Sequence, residues 1–172
     1  RPPDRWMYIR ELQRRMGRQL PGVSTVAAID LDLDDKIHIG TTGLKRLGRR
    51  LANVVRHELF ADSGVTSGPR VAQATLADAV LYDRVIKNSA VRITFEGVNG
   101  RLRPECHIAG FSLRNEQGKP ITEFFDVMVD PDDHTAVLCL AGQPIPPDAK
   151  LWYGYGLNPY CNLADDEDMG VL

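Results

Sequence analysis

The run Asp30-Leu31-Asp32-Leu33-Asp34-Asp35-Lys36-Ile37-His38-Ile39-Gly40 concentrates the side chains best able to do chemistry. Asp35 precedes His38 by three residues. On a tight loop this spacing lets a carboxylate accept the proton-bearing ring nitrogen of the histidine, which leaves the other nitrogen as a base for a hydroxyl nucleophile. Asp34 is the alternative carboxylate partner. The same acidic residues also suit a hard cation, which takes roughly six to eight oxygen ligands, but the loop lacks the glycine and late glutamate of an EF-hand. A solvated acidic loop is the third reading. An Asp/His base needs neither cofactor nor metal, and none is expected here.

Other reactive side chains are less suggestive. His57 falls late in a helical pattern, where a cation suits the helix dipole, while His107 and His134 sit among strands and turns. All three are expected to be structural or on the surface. The three cysteines, Cys106, Cys139 and Cys161, show no Cys-x-x-Cys spacing. Neither a disulfide framework nor a zinc site is indicated, and buried free thiols are expected.

The elements around the acidic run follow from periodicity. Pro3 to Arg18 reads as a helix, with Pro2 and Pro3 at its start, Asp4 in its first turn, and Trp6, Ile9, Leu12 or Gln13, and Met16 along one face. Gly17 and Pro21-Gly22 stop it. Val23 to Ile29 has little alternation and many small or β-branched residues, the pattern of a strand buried on both faces of a parallel sheet. A polar loop, Asp30 to Lys36, leaves its end, which is where ligands and catalytic groups collect in open α/β sheets. After His38, a threonine of Gly40-Thr41-Thr42-Gly43 can cap a helix whose apolar residues are Leu44, Leu47, Leu51, Val54, Val55 and Leu59. The basic stretch Lys45 to Arg50 lies on that helix and is expected on its solvated face.

Residues 1–60 thus read helix, strand, loop, helix, a unit that needs neighbours to cover a parallel sheet. Gly64 to Pro69 reads as a boundary, dividing the chain into residues 1–66 and 67–172. Beyond it, short apolar segments at Val71 to Leu76, Val91 to Phe95, His107 to Leu113, Phe124 to Val129, Ala136 to Leu140 and Leu151 to Tyr155 alternate with turn signals at Val98-Asn99-Gly100, Asn115 to Lys119 and Asp130 to Asp133. That spacing suggests a small β-sandwich. Ala77 to Asn88 is compatible with helix or strand.

Composition bounds the partners. The chain has 172 residues, 43% hydrophobic and 26% charged, with a formal charge of -2. Such a chain builds a packed core, and its charge gives no general pull toward nucleic acid or an anionic membrane. No apolar run approaches the ~20 residues that cross a bilayer. The opening Arg-Pro-Pro-Asp is not a signal peptide, and the chain is expected to begin within a longer protein.

The segment IDLDLDDKIHIGTTGLKRLGRRL, Ile29 to Leu51, resembles the last conserved block of SGNH (GDSL-type) hydrolases, with the nearest likeness to sialate O-acetylesterase-like carbohydrate esterases. The run YGYGLNPYCNLADDEDM, Tyr153 to Met169, resembles the end of that family, where a small β domain follows the hydrolase fold. The resemblance implies the terminal part of a flavodoxin-like α/β hydrolase domain followed by an all-β sandwich. It assigns two triad members to Asp35 and His38. Acetylated carbohydrate or another small ester is the implied substrate, and a secreted or periplasmic enzyme the implied setting. The family's Gly-Asp-Ser nucleophile and its oxyanion donors have no counterpart here: Ser24, Ser63, Ser67, Ser89 and Ser112 all lie outside such a motif. An amino-terminal part of the hydrolase, carrying serine and oxyanion donors, is therefore the implied partner. Without it the chain is expected to be nearly inert. Trp152, Tyr155 and Tyr160, with Tyr153, form an aromatic group able to stack on a sugar ring or to fill a core. The alternative to an esterase is a carbohydrate-binding or structural β module without catalysis.

Overall fold

The computed structural model describes residues 4–35 and 37–172. Pro2, Pro3 and Lys36, on which the helix-start and loop-end expectations fall, lie outside them. Two helices come first, α1 (Asp4–Gln19) and α2 (Thr41–Phe60), followed by nine strands: β1 (Arg70–Leu81), β2 (Arg84–Glu96), β3 (Leu102–Arg103), β4 (Phe111–Arg114), β5 (Pro120–Thr122), β6 (Asp126–Asp130), β7 (Asp133–Leu140), β8 (Lys150–Tyr153) and β9 (Ala164–Asp165). Every strand pair is antiparallel. The sheets run β1-β2-β7-β6, β3-β9 and β5-β4-β8.

Alternating strand residues build one apolar cluster from all three sheets. It includes Val91, Ile93 and Phe95 of β2, Leu102 of β3, Leu113 of β4, Val127 and Val129 of β6, and Val137 and Cys139 of β7. The last residues of the chain complete it, with Leu163 and Val171 buried in the same cluster. The backbone N–H of Leu172 donates to the carbonyl of Pro69, so the chain's end is pinned to the entry of β1.

The ambiguous segment Ala77 to Asn88 is strand on both sides of a hairpin, because Tyr82 and Asp83 both adopt positive φ (49° and 60°) and close a two-residue turn between β1 and β2. Such turns match the right-handed twist of the flanking strands. The expected strand at His107 to Leu113 is shorter, because His107 and Gly110 have positive φ (56° and 112°), and only Phe111–Arg114 joins a ladder.

The region before residue 60 departs more from expectation. Val23 to Ala28 forms no strand, and among the described residues no neighbouring strand pairs with it. A ladder needs a partner, and among the described residues the segment has none. The apolar face read for α1 is turned outward: Trp6, Ile9, Leu12 and Met16 are exposed, while Met7 is buried. On its inner side Arg10 donates to the carbonyls of Gly154, Gly156 and Leu157 at 3.2, 2.7 and 2.8 Å. The N-cap of α2 is Gly40, with no side-chain capping bond, so the threonines do not cap it. Arg50 is not on a solvated face. It is 1% exposed, because its partners lie elsewhere in the fold. Cys106 is exposed, whereas Cys139 and Cys161 are buried free thiols, and burial pushes the Cys161 thiol up to about 11.

Candidate active-site loop

The loop before α2 is closed by its own backbone. Leu33 and Ile39 form an antiparallel bridge, the N–H of Asp34 donates to the His38 carbonyl at 2.9 Å, and the N–H of Gly40 donates to the Asp32 carbonyl at 3.0 Å. Two glycines where α2 begins pack closely against the loop. A Cβ on Gly40 would lie 2.5 Å from Asp34 Oδ1, and one on Gly43 would lie 2.6 Å from Ile39 Cγ2. Real Cβ atoms do not approach so closely, so the two glycines let the first turn of the helix close over the loop.

Inside that frame the Asp35 carboxylate is fixed at both oxygens. Oδ1 accepts the backbone N–H groups of Ile37 and His38 at 2.7 and 2.8 Å, and Oδ2 lies 2.7 Å from His38 Nδ1. The hydrogen bond to His38, then the two backbone N–H groups, hold the Asp35 carboxyl below the usual carboxylate range. An ionised acceptor on Nδ1 selects the tautomer in which Nε2 carries a free lone pair. Both side chains are open to solvent, His38 at 72% and Asp35 at 54%. Asp34 makes no bond to the imidazole among the described residues.

No serine among the described residues hydrogen-bonds to His38. Ser67 donates to Glu58, Ser89 donates to the Ile86 carbonyl at 2.8 Å, and Ser112 accepts from Arg114 at 3.2 Å. No group of three or more His, Cys, Asp or Glu residues in the described chain is arranged to hold a metal ion. No described helix is long and apolar enough to cross a membrane.

The aromatic group divides. Trp152 and Tyr155 meet edge to face at 5.3 Å, and the Arg114 guanidinium lies 3.7 Å over the Tyr155 ring. The Trp152 indole N–H is buried and has no partner among the described residues. Tyr153 packs on Phe111 at 4.7 Å, and its hydroxyl accepts the N–H of Leu163 at 3.1 Å. Tyr160 stands apart with 73% of its surface exposed.

A cluster that spacing did not reveal lies at the root of the loop. Arg50 forks onto Asp30 at 2.7 and 2.6 Å and donates to the Ala27 carbonyl at 2.8 Å and to the carbonyl of Asp168. Arg46 bridges Asp30 at 3.1 Å and both Asp168 oxygens. Burial works to raise the Asp168 carboxyl, but the Arg46 hydrogen bond and the two guanidinium charges outweigh it and hold the group below its ordinary range. Acidic and basic residues separated by 118 positions meet here, which no local pattern announces. A groove of about 660 Å³ runs from Arg46 and Asp168 past Arg103, Glu105, Asn162 and Asp166, and neither Asp35 nor His38 lines it.

No protein-family model matches the sequence, and no curated protein sequence matches it. Among solved structures, the fold is similar to that of a carbohydrate acetylesterase from Xanthomonas citri, with a TM-score of 0.66 and 19% identity. The match covers 96% of this chain and 35% of that chain, so the chain spans about a third of the length of the protein it resembles. What the likeness shows is a fold: two helices followed by antiparallel sheets, shared with about a third of that protein.

Proposed function

We propose that the chain is part of a serine-dependent carbohydrate O-acetylesterase of the SGNH type, supplying the Asp35 and His38 of a Ser-His-Asp triad. The carrying observation is the Asp35 Oδ2 to His38 Nδ1 contact of 2.7 Å, with Oδ1 held by two backbone N–H groups and the imidazole facing solvent. The likeness in fold to a carbohydrate acetylesterase supports the same reading. The flavodoxin-like character of the hydrolase part, and a β-sandwich as its companion, belong to this proposal too.

The serine and the oxyanion donors come from an amino-terminal α/β part seated on the outward apolar rows of α1 and α2. Trp6, Ile9, Leu12 and Met16 on one helix and Leu44, Leu51, Val55 and Leu59 on the other are all exposed, and rows of this length mark an interaction face. In the reaction His38 Nε2 takes the proton of the serine hydroxyl as its oxygen attacks the acetyl carbon. The tetrahedral intermediate collapses when His38 returns that proton to the sugar oxygen, which leaves as an alcohol. Water, deprotonated by His38 in turn, releases acetate and regenerates serine. Asp35 stays ionised throughout and orients the ring.

Tyr160, with the Trp152–Tyr155 pair, is assigned to the sugar ring, since flat apolar faces with polar tips suit that ligand. The test is intact-protein mass spectrometry under native and denaturing conditions, with p-nitrophenyl acetate turnover measured alongside. A bound second polypeptide, with turnover that is lost in His38→Ala, supports the reading. Turnover unchanged in both His38→Ala and Asp35→Asn overturns it.

A further inference from the structure

We infer that the carboxyl-terminal turn around Asp168 positions the loop that carries His38, acting through Arg50 and Arg46 as a clamp on Asp30. This inference rests on the esterase reading for what the loop does, but not for the clamp itself. Asp30 stands at the root of the loop, and its side chain is 3% exposed. Among the described residues its charge partners are the two arginines of α2, the helix into which the loop runs, and each of these also grips Asp168.

The other end of the clamp is equally fixed. The N–H groups of Glu167 and Met169 donate to Asp165 Oδ1 at 3.0 Å, and Asn99 donates to Asp165 Oδ2 through its backbone and side chain at 2.9 and 2.7 Å. The turn therefore belongs to the β region, and Asp168 presents its carboxylate from a rigid base. Gly170 permits the approach: a Cβ there would lie 2.8 Å from Asp30 Oδ1 and 2.9 Å from Arg50 Nη1.

The two arms of the loop are held, because Leu31 is buried, Leu33 is bridged to Ile39, and Gly40 is bonded to Asp32. The local Asp35–His38 pair does not depend on the clamp, since its partners are three residues apart. What the clamp sets is where that pair sits relative to the rest of the molecule. Ion pairs buried in this way are better suited to fixing a register than to adding stability.

Residue-resolved amide exchange on the chain tests this. Asp168→Asn removes the outer charge and leaves the Arg50–Asp30 fork in place. The amides of Asp34 and Gly40 are expected to exchange at least about tenfold faster, as a locally opened segment does, while those of Ile93 and Val137 in the β core stay unchanged. The His38 Cε1–H resonance broadens in the same variant, and Asp168→Glu restores both signals. Arg46→Gln is the second variant, with the same expected pattern if Asp168→Asn does not fold. Unchanged loop amides, or a rise in exchange shared equally by the β core, overturns the inference. Because exchange needs no ester turnover, an esterase assay that fails leaves this result standing, and the reverse holds too.

Discussion

Residues 70–172 bury Ile93, Leu102, Leu113, Val137 and Leu163 almost completely, whereas residues 4–60 leave Trp6, Tyr8, Leu12, Leu44, Leu51, Leu59 and Phe60 exposed and bury few apolar side chains beyond Met7, Ala27, Leu31 and Val54. The two regions also fill their interior differently. The β region is closed by alternating strand residues, and the helical region is fastened to it by arginines: Arg10 on backbone carbonyls, Arg46 and Arg50 on the Asp168 carboxylate. A region held by polar clamps, with its apolar rows outward, presents a surface of the kind that marks an interaction face.

The sharpest way to break this comparison is at the clamp. Arg50→Met strands Asp30 in a buried site without its fork, and removing one partner of a buried pair typically costs about 3–5 kcal/mol. Urea unfolding followed by near-ultraviolet circular dichroism reads the loss. In the β core Ile93→Ala is expected to cost about 2–5 kcal/mol, the range for large-to-small changes at fully buried sites, and to lower the denaturation midpoint of the sheet signals. Gly170→Ala forces a methyl against Asp30 and Arg50, and overpacking of this kind costs about 1–3 kcal/mol by the same measurement.

By contrast Leu59→Ala and Phe60→Ala, at 75% and 76% exposure, should change the stability of the chain by no more than about 0.5 kcal/mol. If the proposed amino-terminal part seats on this face, the same substitutions weaken its capture measured by calorimetry. A large loss of stability from either would show that the outer rows are part of the chain's own core.

The smallest effect is electrostatic. The folded Asp35 and Asp168 carboxyls are both held below their unfolded value of about 3.9. Their contribution is therefore fully present above that value and is lost as pH falls through the lower folded one. A urea midpoint that drops between neutral and strongly acid pH in the parent, and drops less in Asp168→Asn, is the expected outcome. A midpoint that rises on acidification would contradict the sign.

The contact at the centre of the candidate site was legible because it is local. Asp35 and His38 are three residues apart, and their bond forms within one turn whatever surrounds it. The turns at Val98-Asn99-Gly100, Asn115 to Lys119 and Asp130 to Asp133 announced themselves through residues whose short polar side chains or missing Cβ favour tight backbone, and each separates two strands. The hairpin at Tyr82-Asp83 did not, because neither residue is the glycine or asparagine that usually signals positive φ at both central positions. Periodicity identified both helices but misassigned their faces. In α2 the apolar set splits, Val54 turning inward and Leu44, Leu51, Val55 and Leu59 outward, and Arg50 takes the inner position that the pattern reserves for an apolar residue.

Sequence alone determined what short range controls: two amphipathic helices, a series of short strands, and an Asp/His pair on a loop before a helix. Long-range packing settled which side of each helix meets the protein, that Val23 to Ala28 has no ladder partner among the described residues, and that Arg46 and Arg50 reach Asp168 more than a hundred residues away. The reason is physical. A backbone turn or a helical repeat is fixed by neighbours within a few positions, whereas the burial of a charge depends on whether its counter-charge is brought beside it by the fold of the whole chain.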